Sequence, residues 1–154
     1  MGTNSIFTAI DTSASGLTAQ RLRMDVIAGN IANVETTRTP EGGPFKRQLL
    51  VFASKTDLTM QKFPFLPMKL KTQMESPGDG VKVLEISKDP SAPRLKYDPS
   101  HPDANNEGYV AYPNIDVVKE MVDMISASRA YEANITAINA AKGMVSKALT
   151  IGKA

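Results

Sequence analysis

A chain of 154 residues is long enough for one ordinary hydrophobic core and falls in the usual size range of a single domain. Its charges nearly cancel, at a formal +2 spread over both signs, which leaves no basic footprint for nucleic acid and no polybasic block for a membrane surface. With no cysteine, disulfides, thiolate nucleophiles and thiolate metal sites are excluded.

The first residues, Met1 to Ala14, carry neither the basic start nor the apolar stretch of a secretory signal, and no apolar run approaches the roughly 20 residues that span a bilayer. No direct membrane span is expected, and if the protein leaves the cytoplasm another export route must carry it. All ten prolines lie between Pro40 and Pro113. Proline breaks helix interiors, so only the two ends are free to be long helices. The expected fold is α+β: N- and C-terminal long helices paired as an antiparallel coiled coil, with a small β-rich middle segment. Its parts are residues 1–35, the N-terminal coiled-coil helix; 36–112, the β-rich and loop segment; and 113–154, the C-terminal coiled-coil helix, the two ends forming one helical domain.

In the N-terminal part, Ile6, Ile10, Leu17, Met24, Ile27, Ile31 and Val34 recur in alternating four- and three-residue steps, with Ser13 and Gln20 in the polar gaps. That spacing is a heptad stripe. Asn4 or Ser5 is the expected N-cap, and the pattern decays from Glu35 to Thr39, before Pro40. A helix over residues 5–34 would be about 45 Å long at 1.5 Å per residue. Thr12, Ser13, Ser15, Gly16 and Thr18 make its first half a poor helix former, so it needs a partner for its apolar face.

The middle reads as short strands and turns. Arg47 to Phe52 and Val81 to Ile86 are β-branched or aromatic runs, with Arg94 to Tyr97 a weaker third. Pro77-Gly78-Asp79-Gly80 is a turn signal, and no Gly-Lys-Ser/Thr follows it as a phosphate loop would require. Phe63 to Lys71, apolar but broken by proline, reads as an extended loop or an intersubunit contact.

The C-terminal part repeats the four-three spacing through Val117, Met121, Met124, Ser128, Tyr131, Ile135, Ile138, Lys142, Val145 and Leu149. Asn114 is the expected N-cap, Asp116 and Glu120 place acid near the positive end of the helix dipole, and Gly152 is the stop. The simplest partner for each stripe is the other end of the same chain. Alanines at Ala14, Ala28, Ala32, Ala127, Ala130, Ala137 and Ala141 would let the two backbones approach closely. The expected coil core is Ile10, Leu17, Met24, Ile27, Ile31, Val34, Val117, Met121, Met124, Tyr131, Ile135, Ile138, Val145 and Leu149. Asn30, Asn33, Arg129 and Asn134 are candidates for fixing register or for contacts between subunits. Aspartate at Ile31 or Ile135 is expected to abolish incorporation into an assembly.

Catalysis has little to work with. His101 is the sole histidine and lies in Asp98-Pro99-Ser100-His101-Pro102-Asp103, where Asp98, His101 and Asp103 could share a metal. The prolines explain the same stretch as a turn, and metal sites usually draw ligands from separate elements. No enzyme activity, metal or cofactor is expected.

Two stretches go beyond pattern. Ser13-Ala14-Ser15-Gly16-Leu17-Thr18-Ala19-Gln20-Arg21, continuing through Asn30-Ile31-Ala32-Asn33-Val34, resembles the N-terminal signature of the bacterial flagellar rod and hook proteins. Glu107-Gly108-Tyr109-Val110, Pro113-Asn114-Ile115-Asp116-Val117-Val118 and Ser126-Ala127-Ser128-Arg129-Ala130-Tyr131-Glu132-Ala133-Asn134, closing with Lys147-Ala148-Leu149-Thr150-Ile151-Gly152, resemble the C-terminal signature of a proximal rod subunit. The resemblance to the flagellar basal-body rod family implies a terminal coiled coil facing the shaft axis, a β-rich portion outside it, and helical assembly around a channel. It implies as partners copies of the chain itself, other flagellar rod proteins, the rod-to-membrane-ring adaptor and the flagellar export apparatus. The implied location is the periplasm-spanning rod of the basal body, reached by type III export without a cleaved signal peptide. Competing readings are a secreted coiled-coil adaptor, another flagellar axial protein, or a small metal-dependent hydrolase using His101, Asp98 and Asp103.

Overall fold

A computed structural model describes residues 3–55 and 80–152. The element order is α1 (Thr3–Ala32), β1 (Gln48–Ser54), β2 (Val81–Lys88), β3 (Arg94–Tyr97), β4 (Tyr109–Tyr112) and α2 (Val117–Ile151). The fold is α+β: two terminal helices and two small two-stranded sheets, β1-β2 and β3-β4. The segment Phe63 to Lys71 and the turn residues Pro77 to Asp79 lie outside the described residues.

The helices occupy the two proline-free ends, as the distribution of proline requires. The first helix closes where Asn33 takes over: its Nδ2 donates to the Gly29 carbonyl at 2.9 Å, and its Oδ1 accepts the Thr36 hydroxyl at 3.2 Å. The second begins two residues later than Asn114 would place it. The cap is Asp116, whose Oδ1 accepts the amides of Val118 at 2.9 Å and Lys119 at 3.3 Å. A carboxylate at that position both satisfies open amides and meets the positive end of the dipole.

The β1-β2 pair is antiparallel. The Lys55 amide donates to the Gly80 carbonyl at 2.9 Å beyond one end, and the Asp89 amide to the Arg47 carbonyl at 2.8 Å beyond the other. In the second sheet, Arg94 faces Tyr112 and Tyr97 faces Tyr109 in antiparallel register. Strand β4, which the sequence reading had not singled out, exists because the loop after β3 is closed by side-chain bonds. Asn105 Oδ1 accepts the amides of Glu107 at 3.0 Å and Tyr109 at 2.8 Å. Gly108 supplies the positive φ of +83° that the return needs, with the Tyr97 ring where a Cβ would be.

The chain forms two compact units. One comprises Met1–Gln20, Phe52–Val83 and Arg129–Ala154; the other comprises Arg21–Val51 and Leu84–Ser128. We call them the outer-segment unit and the inner-segment unit, after the parts of the helices they contain. In the inner-segment unit the buried apolar residues are Val26, Ile27, Val110, Ile115 and Ala127, with Pro113 also fully buried. In the outer-segment unit, among the described residues, they are Ala19 and Ala141.

Candidate functional site

The inner-segment unit contains a polar knot that joins α1, the start of β1 and the first turn of α2. Asn30 and Glu120 are each 1% exposed. Asn30 treats Gln48 as one strand treats another: its Oδ1 accepts the Gln48 amide at 2.8 Å and its Nδ2 donates to the Gln48 carbonyl at 2.9 Å. The second Nδ2 hydrogen goes to Glu120 Oε2 at 3.0 Å. The other carboxylate oxygen, Oε1, accepts from Arg47 Nε at 2.8 Å and Nη2 at 2.5 Å. A buried carboxylate persists only when paired and hydrogen-bonded, and both of its oxygens are engaged here.

The knot has a more exposed rim. Arg23 Nη2 donates to Asp123 Oδ1 at 3.1 Å, and Arg47 lies 3.9 Å from Asp89 and 4.0 Å from Asp123. The Ser91 side chain and amide, both bonded to Asp89, hold its carboxyl below the ordinary aspartate range, with the Arg47 charge adding to the effect.

In the outer-segment unit the contacts are between small groups. A Cβ added to Gly16 would lie 3.1 Å from Asn134 Nδ2, so glycine there lets α2 come close. Asn134 in turn donates to the Ala130 carbonyl at 2.8 Å. Ser15 Oγ donates to the Thr12 carbonyl at 2.7 Å and accepts the Val81 amide at 3.0 Å, tying the start of β2 to α1. Gly80, at φ +87°, sits against that Ser15 hydroxyl with no room for a side chain.

The positions expected to form a coil core divide sharply. Ile27 is buried, and Ile10, Leu17, Met24, Ile31, Val34, Met124, Tyr131, Ile138 and Val145 are half-buried. Val117, Met121, Ile135 and Leu149 face outward in the isolated chain, at 36%, 55%, 38% and 63% exposure. On α2 the covered line runs instead through Glu120, Met124 and Ala127 in the inner-segment unit and Tyr131, Asn134, Ile138, Ala141 and Val145 in the outer-segment unit. On α2 two of the expected positions, Met121 and Ile135, thus give way to the residue before them, Glu120 and Asn134, because a pattern weighted by size selects the large residues and this helix turns the small and hydrogen-bonded ones inward. Of the candidate register residues, Asn30 is buried in the knot, Asn33 closes α1, Asn134 lies against Gly16, and Arg129 is exposed.

Arg47 and Glu120 were missed as a pair: the first was read as the start of a strand, the second as an acid complementing the helix dipole. The available signal was an acid on a heptad line one step from the chosen one. Asp98, His101 and Asp103 do not converge. Asp98 accepts the Ser100 hydroxyl at 2.6 Å, His101 Nδ1 accepts the Asp103 amide at 3.1 Å, and Asp103 Oδ2 accepts the Thr37 hydroxyl at 2.8 Å. Among the described residues no three histidine, aspartate or glutamate side chains are grouped as metal ligands, and no helix is long and apolar enough to cross a membrane.

Comparison with known proteins places these features in a family. Residues 10–38 match the model described as flagella basal body rod protein, and residues 106–151 the model described as flagellar basal body rod FlgEFG protein C-terminal. The flagellar basal-body rod protein FlgC of Borreliella burgdorferi is 53% identical over 150 residues, covering 95% of this chain and 97% of that protein. Its namesake in Bacillus subtilis is 48% identical over 151 residues, covering 96% and 98%, and that of Yersinia enterocolitica 36% over 149 residues, covering 97% and 99%. With both terminal signatures matched and the similarity running nearly end to end, the chain belongs to the FlgC family of flagellar basal-body rod proteins.

Proposed function

We propose that the chain is a structural subunit of the proximal rod of the bacterial flagellar basal body, assembling helically with copies of itself and other rod proteins into the hollow shaft that carries torque. The observation that carries this reading is the 53% identity to a basal-body rod protein over nearly the whole length of both chains. Rod subunits do mechanical work through interfaces, and heterologous contacts that do not close on themselves generate a helical tube.

Within this reading the terminal helices pair antiparallel as a coiled coil. Three contacts support it: Gly16 with Asn134 in one unit, and Arg23 with Asp123 and Asn30 with Glu120 in the other. Taken in order along α1, Gly16, Arg23 and Asn30 meet Asn134, Asp123 and Glu120, which run backward along α2. The outward residues Val118, Met121, Val122 and Ile125, all more than half exposed, are then free for neighbouring subunits, as is Arg129. Contacts with the rod-to-membrane-ring adaptor, and delivery through the flagellar export apparatus without a cleaved signal peptide, complete the proposal.

The test is deletion and complementation. Cells lacking the gene should be non-motile and their basal bodies should lack the rod, and electron cryo-microscopy of complemented basal bodies should place this chain in the shaft wall. Swimming deletion cells with complete rods would sink the reading.

A further inference from the structure

We propose that Glu120, bridging Asn30 and Arg47, is a register lock: it selects one axial alignment of α1 against α2 from several that the small-residue contact line would otherwise accept.

The line itself is nearly degenerate. Ala127, Asn134 and Ala141 follow one another at seven-residue intervals on the covered side of α2, and Gly16 meets the middle one. A slip of one heptad, about 10 Å at 1.5 Å per residue, would bring Ala127 or Ala141 to Gly16. Either alanine fits where asparagine fitted. Small residues therefore allow close approach without dictating where along the helix it happens.

The knot is not degenerate. The same slip would replace Glu120 opposite Asn30 by Pro113 or Ala127, residues that offer Arg47 no charge and Asn30 no side-chain acceptor. Arg47 is only 17% exposed on its side chain, so its guanidinium would lose both hydrogen bonds to Glu120 while largely buried and keep only the looser pair with Asp89 at 3.9 Å. Asn30 could not follow the slip either, since both its oxygen and its nitrogen are held by the Gln48 backbone. Buried polar groups that fix register by penalising every other alignment are the best-attested use of such groups.

The chain contains no cysteine, so a pair of introduced cysteines reports alignment without competing thiols. Gly16→Cys is combined in the full-length protein with Asn134→Cys, Ala127→Cys or Ala141→Cys. Each pair is made in the otherwise native chain and in an Arg47→Met/Glu120→Met background, which preserves net charge and leaves Asn30 bonded to Gln48. Because a disulfide forms only where the two Cβ atoms lie close, oxidation of the native background should favour the 16/134 bond roughly tenfold over either alternative. In the Met/Met background the preference should fall to about threefold or less as slipped pairs form.

An unchanged preference in the Met/Met background overturns the lock. So does loss of all three bonds together with the helical circular dichroism signal, which would mean that the ion pair supplies stability and not alignment. The inference rests on the antiparallel pairing proposed above, and the two fail differently: absence of the 16/134 bond from the native background sinks both, whereas an unchanged preference in the Met/Met background sinks the lock alone.

Discussion

The two compact units are built from the same pair of helices, yet they are held together by different physics. The inner-segment unit buries Val26, Ile27, Val110 and Ile115 together with a carboxylate, Glu120, whose two oxygens are both hydrogen-bonded. The outer-segment unit, among its described residues, buries only alanines and leaves Phe7 63%, Met144 61%, Leu149 63% and Ile151 78% exposed. At about 25 cal/mol per Å² of apolar surface removed from water, alanines contribute little, so the apolar residues of the outer segments remain available for burial by other chains. A subunit with one half internally determined and the other, among its described residues, burying little apolar surface is suited to a part that takes its final form in an assembly, where ordering is coupled to binding.

The comparison can be broken most forcefully at Glu120. Glu120→Ala would remove both hydrogen bonds that the largely buried Arg47 makes to a carboxylate, leaving it only the looser pairs with Asp89 at 3.9 Å and Asp123 at 4.0 Å, and is expected to destabilise the protein by about 1.5–3 kcal/mol, measured by urea denaturation of the purified chain. A loss below about 1 kcal/mol, the range of surface pairs, would remove the distinction between the units.

Next comes Gly80→Val, which forces a β-branched residue into φ +87° and against the Ser15 hydroxyl. Strain of this kind is worth about 1–3 kcal/mol. It should appear as faster hydrogen exchange at the Val81 amide, with amides of the inner-segment unit unchanged. Uniform acceleration throughout the chain would show that the two units unfold as one.

Gly143→Ala sharpens the contrast from the other side. A Cβ at Gly143 meets no atom within 4 Å, so alanine should stabilise the isolated chain by about 0.5–1 kcal/mol through helix propensity. If motility falls while thermal stability rises, the open space beside Gly143 is filled by another subunit in the shaft. Unchanged motility would place that face away from neighbours.

The smallest expected effect is at the β3-β4 loop. The Ser100 hydroxyl bonded to Asp98 holds its carboxyl below the ordinary aspartate range. A depressed carboxylate contributes stability that is present above the ordinary aspartate value and lost as pH falls through the lowered one. Ser100→Ala should therefore move the Asp98 titration upward in side-chain carboxyl NMR, with a small loss of stability at neutral pH that vanishes in acid. An unmoved titration would reassign the cause to Lys96 and His101 nearby.

Much of the fold was legible because its strongest determinants are local. Proline confined to residues 40–113 marks out the helices, and the run Arg94–Tyr97 forms β3 with the bounds expected. What escaped depends on pairing across the chain. Tyr109–Tyr112 becomes a strand through the Asn105 and Gly108 closure, and Asp116 outcompetes Asn114 as cap because its carboxylate meets two amides. The candidate site was half legible: Asn30 and Asn134 stood out by type, whereas their partners Gln48, Glu120 and Gly16 are recognisable only once distant segments meet.

The two-point bond between Asn30 and the Gln48 backbone also limits how this chain can be recombined with its relatives. A first helix without asparagine at position 30 would strand both polar groups of the Gln48 peptide and one oxygen of the buried Glu120 carboxylate, however well its apolar stripe matched. Exchange of that helix should therefore succeed only where the incoming segment keeps an amide side chain at residue 30 that can meet the Gln48 backbone at both points.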